Sequence, residues 1–390
     1  EDPAAGTAPL PLHKPALRVA DLVVFCDEIQ REYYREMIGF VRELGVEVPI
    51  TGTNHPYSWA GLKSLAEETE FVGMHFYWGH PSRDRRVGNR SMLGQADPLG
   101  GGHSLVTRIA AARAAGKPLI VGEWNIPWPN QYRHEMMLTT AAYGCLQDWD
   151  ALIWFLHFAW VDETGEPGWE CGTFHGAFDP PRGGLVPLAA AIFRRGDVQA
   201  ARQLIEIEAS DRSGELLAKA GHTNDLPLWR GLRWLPYLFR VETNFPSGRP
   251  PNVGADAVIG DDPRRAAETA GAGRRLTHLD PDVAEQVADP GEAYVPEDWN
   301  DLAREYADRL NQWGMTELDA TTIERRRLVS DTGELMTDHQ EGVFTLDAPR
   351  CKALVASTAA SAELSGFTLA TDRPSTVAVL SLTDAALAET

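Results

Sequence analysis

Apolar residues recur at two different periods in the first half of the chain, and segments with the two periods alternate. Spacings of three and four predict helices at about 21–44, 59–68, 103–115, 131–147 and 185–195. Short apolar runs predict strands at 48–51, 71–78, 118–123 and 151–158. Because alternating strands and helices are typical of a parallel sheet with right-handed crossovers, we expect an α/β domain over residues 1–198.

The pattern changes in the second half of the chain. Residues 199–319 show no clear alternation and are expected to connect two domains, with a flexible Gly- and Pro-rich loop at 246–275 and a helix at 298–313. Residues 320–390 contain short apolar runs separated by polar turns, such as the turn at 330–333. This pattern predicts a small antiparallel β-sandwich domain, complete or truncated.

Polar or aromatic residues follow each predicted strand of the first half. The four strand ends read Thr51-Gly52-Thr53-Asn54-His55, His75-Phe76-Tyr77, Gly122-Glu123-Trp124-Asn125 and Trp154-Phe155-Leu156-His157. Ligands bind at the carboxyl ends of parallel strands, so these residues are site candidates. Glu123 is the first of them, because burying a charged side chain at the end of such a strand is costly unless it has a partner or a functional role. A salt bridge to a neighbouring loop is the alternative explanation for Glu123.

In this order the four strand ends resemble strands five to eight of a (β/α)8 glycoside hydrolase of clan A, which includes cellulases, mannanases and β-galactosidases. The resemblance covers residues 20–198 and, less closely, 325–385. It implies a partial TIM barrel followed by a β-sandwich, and retaining hydrolysis of β-linked carbohydrate. It also implies that Glu123 is the nucleophile and that His75 and Tyr77 support it, with the tyrosine hydroxyl contacting the nucleophile.

Five further residues are candidates for contact with the sugar: Asn54, Trp124, Trp154, His157 and Trp160. Asn54 could instead cap the following turn, and Trp124 could simply pack in the core. For His75, a hydrogen-bonded core histidine is the alternative.

The acid/base of the family is a glutamate that follows an asparagine at the end of strand four. No Asn-Glu pair precedes the predicted strand at 48–51. The resemblance therefore implies that strands one to four, together with the acid/base, precede residue 1, and that this chain alone is inactive. Glu28 is the one fallback, although its place in the middle of the helical pattern predicts an exposed helix residue.

Composition narrows the range of partners. A net charge of −20 over 390 residues argues against binding to nucleic acids or anionic membranes, and no apolar run is long enough to cross a bilayer. Twelve tryptophans suit a carbohydrate cleft, although tryptophan also fills cores. We therefore expect an oligo- or polysaccharide substrate, for which secretion would be usual.

Metal and cofactor motifs give no further candidates. The four cysteines form no CxxC pair, and His134-Glu135 lacks the second histidine of an HExxH zinc motif. The expected chemistry needs neither a metal nor an organic cofactor. Two other functions stay open: a non-catalytic carbohydrate-binding protein on a degenerate barrel, and another barrel enzyme such as a lyase or a metal-dependent hydrolase.

Overall fold

A computed structural model gives the fold of the chain. The residues it describes are 17–84, 90–92, 94–100, 105–157, 173–211, 232–246, 254–260, 274–277 and 301–387.

The first half contains most of the predicted elements. Its helices are α1 (Leu17–Glu43), α2 (Trp59–Glu68), α3 (Leu105–Ala111), α4 (Met136–Leu146), α5 (Pro180–Gly183) and α6 (Val186–Arg195). Its strands are β1 (Val72–Tyr77), β2 (Ser82–Asp84), β3 (Arg90–Met92), β4 (Leu119–Asn125) and β5 (Ala151–Trp154). The five predicted helices and three of the four predicted strands are thereby confirmed.

The strand predicted at 48–51 is wrong, because the structure has no strand there. Pro49 lacks the backbone N–H that a sheet ladder requires. Residues 50–54 instead lie beside β1 through two separate backbone bonds, from Glu70 N to Ile50 O at 3.0 Å and from His75 N to Asn54 O at 2.9 Å. These bonds bring Asn54 to the same edge of the sheet as His75.

β1, β4 and β5 form a parallel sheet in that order. One face is buried against helices and carries a continuous set of apolar side chains: Val72, Met74, Phe76, Leu119, Val121 and Trp124. The opposite face carries His75 and Glu123, which are half-buried, and Ile153, which is exposed. Within the described residues the sheet has three strands and does not close, so a barrel is not shown.

Residues 199–319 hold a second parallel sheet where the sequence predicted a connection. Its strands are β6 (Leu204–Glu208), β7 (Arg240–Asn244), β8 (Ala257–Gly260) and β9 (Arg274–Thr277), in the order β7-β6-β8-β9. The helices α7 (Leu235–Leu238) and α8 (Asp301–Gln312) belong to the same part of the chain. Strands β8 and β9 correct the prediction of a flexible loop at 246–275. The remaining parts of that loop, 247–253 and 261–273, lie outside the described residues.

The antiparallel domain predicted for the C-terminal part is confirmed. After α9 (Ala320–Arg325), its strands are β10 (Arg327–Val329), β11 (Leu335–Asp338), β12 (Val343–Ala348), β13 (Cys351–Ala356), β14 (Ala360–Leu364), β15 (Phe367–Thr371) and β16 (Ser375–Leu380). Five of them form a sheet ordered β10-β11-β12-β13-β16, and the hairpin β14-β15 packs Leu369 against Leu354 and Ala356.

The three parts share one apolar core, which runs from α2 and β1 through β6 to β13. Polar contacts also join them. Tyr143 on α4 lies 2.7 Å, Oη to Oγ1, from Thr337 on β11, and the buried Asp197 pairs with Arg350 of the antiparallel domain at 2.6 Å. The described residues therefore form a mixed α/β fold that contains two parallel sheets and a larger antiparallel sheet. No helix in the described ranges is both long and apolar enough to span a membrane.

Candidate active site

A β-bulge at Gly122 determines the direction in which Glu123 points. Met74 on β1 lies opposite Val121 on β4, but the next residue, His75, lies opposite Glu123. Gly122 is therefore an extra residue in β4. Side chains alternate between the faces of a strand, so without the bulge Glu123 would point into the buried face. With the bulge, Glu123 lies with His75 on the open face. Bulges beside functional sites commonly redirect a side chain in this way.

The absence of a side chain at residue 122 also makes room for His75. A Cβ atom at Gly122 would lie 2.9 Å from His75 Nε2, closer than real side chains approach. Glycine is thus required here for a close approach between the imidazole and β4. The bulge and the histidine position depend on the same residue.

Both neighbours of the Glu123 carboxylate contact the same oxygen. The Tyr77 hydroxyl donates a hydrogen bond to Oε2, and His75 Nδ1 lies 3.2 Å from Oε2. Within the described residues Oε1 accepts no hydrogen bond, and the Glu123 side chain is 31% exposed. One oxygen is therefore fixed, and the other is open to a ligand.

His75 is held by two further groups. The Asn54 amide nitrogen lies 3.2 Å from both ring nitrogens of His75, and the Tyr57 hydroxyl donates to the backbone oxygen of His75. An imidazole protonated at Nδ1 satisfies both ring contacts, because Nε2 then accepts from Asn54 while Nδ1 donates to Glu123. In this structure the predicted sugar ligand Asn54 contacts His75. Tyr57 was not predicted from the sequence pattern.

The protonation states of the two supporting residues follow from their surroundings. Burial, together with the hydrogen bond to Glu123 and its charge, raises the pKa of the Tyr77 hydroxyl. Burial lowers the pKa of His75 and His55 lowers it further, while the charge of Glu123 acts in the opposite direction. At neutral pH Glu123 therefore has two neutral hydrogen-bond donors beside it.

Aromatic rings surround Tyr77 and form one wall of the site. The Tyr77 ring centroid lies 5.0 Å from that of Phe174, 5.4 Å from His80 and 5.9 Å from Phe155. Offset and edge-to-face contacts of this kind fix ring orientation. Phe155 belongs to a predicted strand end, whereas His80 and Phe174 were not predicted as part of the site, and Phe174 lies far from Tyr77 in sequence.

A buried arginine fixes the loop that carries Phe174. Arg182 is fully buried and donates to His175 O at 2.6 Å, to Ile126 O at 3.1 Å and to Asn125 Oδ1 at 3.3 Å. Its charge is matched by Asp179, 2.5 Å away. This network joins the carboxyl end of β4 to residues 173–175. The sequence indicated only a turn at 179–181.

The tryptophans predicted to contact sugar have other surroundings. Trp124 is 3% exposed on the buried face of the sheet, as core packing would place it, and its contact with sugar stays a prediction. Trp154 is half-buried, and its ring occupies the space where a side chain of Gly176 would lie. His157 is exposed, with its ring centroid 6.2 Å from that of Trp154. Trp160 lies outside the described residues.

Two remaining candidates concern acid/base and metal chemistry. Glu28 is exposed on α1, in the way its sequence position predicted. In the part of the chain that the structure describes, no three His, Cys, Asp or Glu side chains are grouped as a metal ion would require.

Comparison with known proteins places limits on what can be carried over to this chain. No protein-family model matches the sequence, and no curated protein is similar to it. Among solved structures, the chain is similar to a polyextremophilic β-galactosidase from the Antarctic haloarchaeon Halorubrum lacusprofundi. The similarity has a TM-score of 0.45 and 13% sequence identity, and it covers 96% of this chain and 70% of that chain. At that TM-score the similarity carries no argument about function.

Proposed function

We propose that this chain carries the nucleophile half of a retaining glycoside hydrolase site, which acts on β-linked oligo- or polysaccharides by double displacement. The observation that supports the proposal is the Glu123 carboxylate on the open face of a parallel sheet. One of its oxygens is fixed by Tyr77 and His75, and the other accepts no hydrogen bond within the described residues.

In the first step, Oε1 of Glu123 attacks the anomeric carbon of the sugar. A bond forms between this carbon and Oε1, the bond to the departing oxygen breaks, and the bonding pair leaves with that oxygen. Tyr77 stabilises the attacking carboxylate by donating to its other oxygen, and it stays protonated because its pKa is raised. Neutral His75 orients the same oxygen without neutralising the charge.

In the second step, water displaces Glu123 from the sugar and restores the carboxylate. Both steps need a second carboxyl group about 5–5.5 Å away, which first protonates the departing oxygen and then activates water. None of the described residues is assigned to this role. The aromatic wall formed by Tyr77, Phe155 and Phe174 suits the apolar face of a sugar ring.

A substrate that needs no acid catalyst isolates the part of the reaction assigned to this chain. Fluoride and dinitrophenolate depart without protonation, and fluorine at sugar carbon 2 slows hydrolysis of the glycosyl ester. We expect one member of a panel of 2-deoxy-2-fluoro-β-glycosyl fluorides and dinitrophenyl β-glycosides, covering gluco, galacto, manno and xylo sugars, to label the full chain once. Intact mass spectrometry followed by peptide mapping should place the label on Glu123.

Two variants make this experiment decisive. Glu123→Gln should abolish labelling, a loss of at least about 1000-fold, because the attacking atom is gone. Glu28→Gln, at an exposed glutamate, should label at the wild-type rate. Labelling of another residue, or equal labelling of Glu123→Gln, would refute the assignment. If no sugar of the panel labels the chain at millimolar concentration, the proposed function fails.

A further inference from the structure

Helix α1 packs against the protein along one side and exposes large apolar side chains on the other. Its side chains at 27, 31 and 34 point toward α2 and the 50–54 segment, where Arg31 pairs with Glu67 at 2.7 Å and with Glu68 at 2.9 Å. The Tyr34 hydroxyl accepts a hydrogen bond from Thr53 N at 2.9 Å. The side of the helix that contacts the rest of the chain thus carries both polar and apolar side chains, with Tyr34 in the core and Val23 and Ile38 packed against it.

The opposite side bears an apolar stripe, which consists of Phe25, Ile29, Tyr33, Met37, Phe40 and Leu44. The spacing of three and four residues places these six side chains along one side of the helix. Their exposed fractions run from 39% at Met37 to 68% at Leu44. A surface helix normally buries such a stripe, whereas in α1 the stripe is exposed.

The area of the stripe is that of an interface. Large apolar residues have on the order of 200 Å² of surface each, so with these exposed fractions the stripe exposes roughly 640 Å². One partner of a stable protein complex contributes about 800 Å². The largest apolar patches on ordinary monomers reach about 300–600 Å², and patches above that size mark sites of interaction.

A row of carboxylates follows one edge of the stripe: Glu28, Glu32, Glu36 and Glu43. Helical periodicity places all four on the same edge, and all four are exposed. No cation of the described residues forms an ion pair with them. The arginines Arg31, Arg35 and Arg42 of the same helix are directed instead to Glu67, Glu68 and Glu70.

The carboxylate row restricts what can cover the stripe. In a symmetric pair of α1 helices from two copies, the same patch meets itself, and the antiparallel arrangement would bring the two acidic edges together. The net charge of −20 on each copy adds to this repulsion. An anionic membrane is repelled for the same reason.

We propose that the apolar stripe of α1 is the docking surface for an amphipathic α-helix whose apolar face is flanked by Lys and Arg. Such a helix buries its apolar face on the stripe and places its cations beside the carboxylate row, in helix-against-helix packing. The stripe runs from Phe25 to Leu44, one residue past the end of α1, and gives a contact about 30 Å long at 1.5 Å per residue. This inference does not depend on the proposed function.

The probe for this surface is a synthetic 27-residue peptide with leucines at helical spacing and Lys and Arg on the flanks, labelled with fluorescein. Fluorescence anisotropy with the full chain should give binding at least tenfold tighter than for a matched peptide with Glu on the flanks. The double change Phe25→Ser/Phe40→Ser should weaken binding at least tenfold. Leu382→Ser is the control, because Leu382 is 91% exposed elsewhere and should leave binding unchanged.

Charge reversal tests the complementarity directly. Glu32→Lys/Glu36→Lys should weaken binding of the basic peptide and tighten binding of the acidic one. Equal binding of the two peptides by the native chain, or binding that survives Phe25→Ser/Phe40→Ser, would overturn the proposal. So would a dimer in sedimentation that this double change dissociates, since a second copy would then be the occupant. Binding to anionic vesicles through the same phenylalanines would also overturn it. Circular dichroism confirms that the variants, altered only at exposed sites, are folded.

Discussion

Two glutamates stand near the carboxyl ends of buried parallel strands, one in each parallel sheet, and their surroundings differ completely. Glu208 ends β6, is fully buried, and receives both terminal nitrogens of Arg275, with Nη2 2.8 Å from Oε1. Glu123 lies in β4, is partly open, and has only the neutral groups of Tyr77 and His75 on one oxygen. Strand position alone therefore does not identify a reactive carboxylate. What distinguishes them is that a cation occupies both oxygens of Glu208, whereas one oxygen of Glu123 has no protein partner among the described residues.

The largest expected effect concerns stability at Glu208. Glu208→Gln leaves Arg275, whose side chain is 7% exposed, buried without its full partner. Breaking a buried ion pair in this way costs about 3–5 kcal/mol. Urea denaturation followed by circular dichroism should show this loss. Glu123→Gln should change the free energy of unfolding by less than about 1 kcal/mol, because its side chain is partly solvated.

The double variant Glu208→Leu/Arg275→Met separates charge from packing. It should recover most of the stability lost in Glu208→Gln, because no charge is then left buried without a partner. If Glu123→Gln destabilises the protein as much as Glu208→Gln, the distinction between the two glutamates fails.

The second prediction concerns the bulge. In Gly122→Ala, the new Cβ atom would lie 2.9 Å from His75 Nε2, so the imidazole must move away from Oε2 of Glu123. We expect the rate of labelling by the fluoroglycoside to fall about 100-fold, which corresponds to about 2.7 kcal/mol. Stopped incubations analysed by mass spectrometry measure this rate.

Gly39→Ala is the matched control for that substitution. Residue 39 lies on α1, and a Cβ atom there would meet nothing within 4 Å. Alanine at this position should leave labelling unchanged and slightly stabilise the helix. A wild-type labelling rate in Gly122→Ala would show that the close approach of His75 to β4 has no role.

A smaller effect is expected at Tyr77. Tyr77→Phe removes one donor from Oε2 but keeps the ring contacts with Phe155 and Phe174. Hydrogen bonds to charged groups contribute about 1.5–3 kcal/mol, so labelling should slow about tenfold to 100-fold. Tyr33→Phe, at an exposed tyrosine, should have no effect. A Tyr77→Phe loss as large as that of Glu123→Gln would contradict the assignment of Tyr77 as a support, because the hydrogen bond to Oε2 would then be as essential as the attacking atom.

The sequence predicted those features that depend on local pattern. Apolar periods located five helices and three parallel strands. Strand ends then placed His75, Tyr77 and Glu123 at one edge of a sheet, where the structure brings them together. The role of Gly122 could not be predicted, because a bulge is a property of the register between two strands. Phe174 and Arg182 are brought to the site by contacts between residues far apart in the sequence. Hydrophobic periodicity carries no information about such contacts.

The second parallel sheet was not predicted from the sequence, for a related reason. Its strands are only four or five residues long, and β6 contains Glu206 and Glu208 within an otherwise apolar run. Both carboxylates are buried, and Asn244 and Arg275, from other strands, donate to them. When the burial of a charged residue depends on partners far away in the sequence, the sequence pattern predicts that the residue lies on the surface. In α1, the pattern located the apolar stripe but could not say whether the fold covers it.

Glu135 provides a third case, in which a glutamate is buried without a cation beside it among the residues that the structure describes. It is fully buried where the first domain meets the antiparallel sheet, and Ser357 Oγ donates to its Oε1 at 2.8 Å. Burial, then the charge of Asp97 and a hydrogen bond with it, raise the pKa of Glu135 to about 9. The folded protein therefore keeps this carboxyl protonated at neutral pH, whereas the unfolded chain ionises it near its ordinary value.

The consequence is a measurable dependence of stability on pH. Between about pH 4.5 and 9 folding takes up a proton at Glu135, so this residue makes the free energy of unfolding fall as pH rises. Glu135→Gln mimics the protonated acid and removes the effect. Its stability relative to the wild type should grow by about 1.4 kcal/mol per pH unit across this window. Urea denaturation at pH 5, 6, 7 and 8 measures the difference, with the exposed Glu363→Gln as control. If the free energies of unfolding of Glu135→Gln and wild type change in parallel with pH, Glu135 is ionised in the folded protein. Burial without a cation would then not distinguish Glu135 from Glu123.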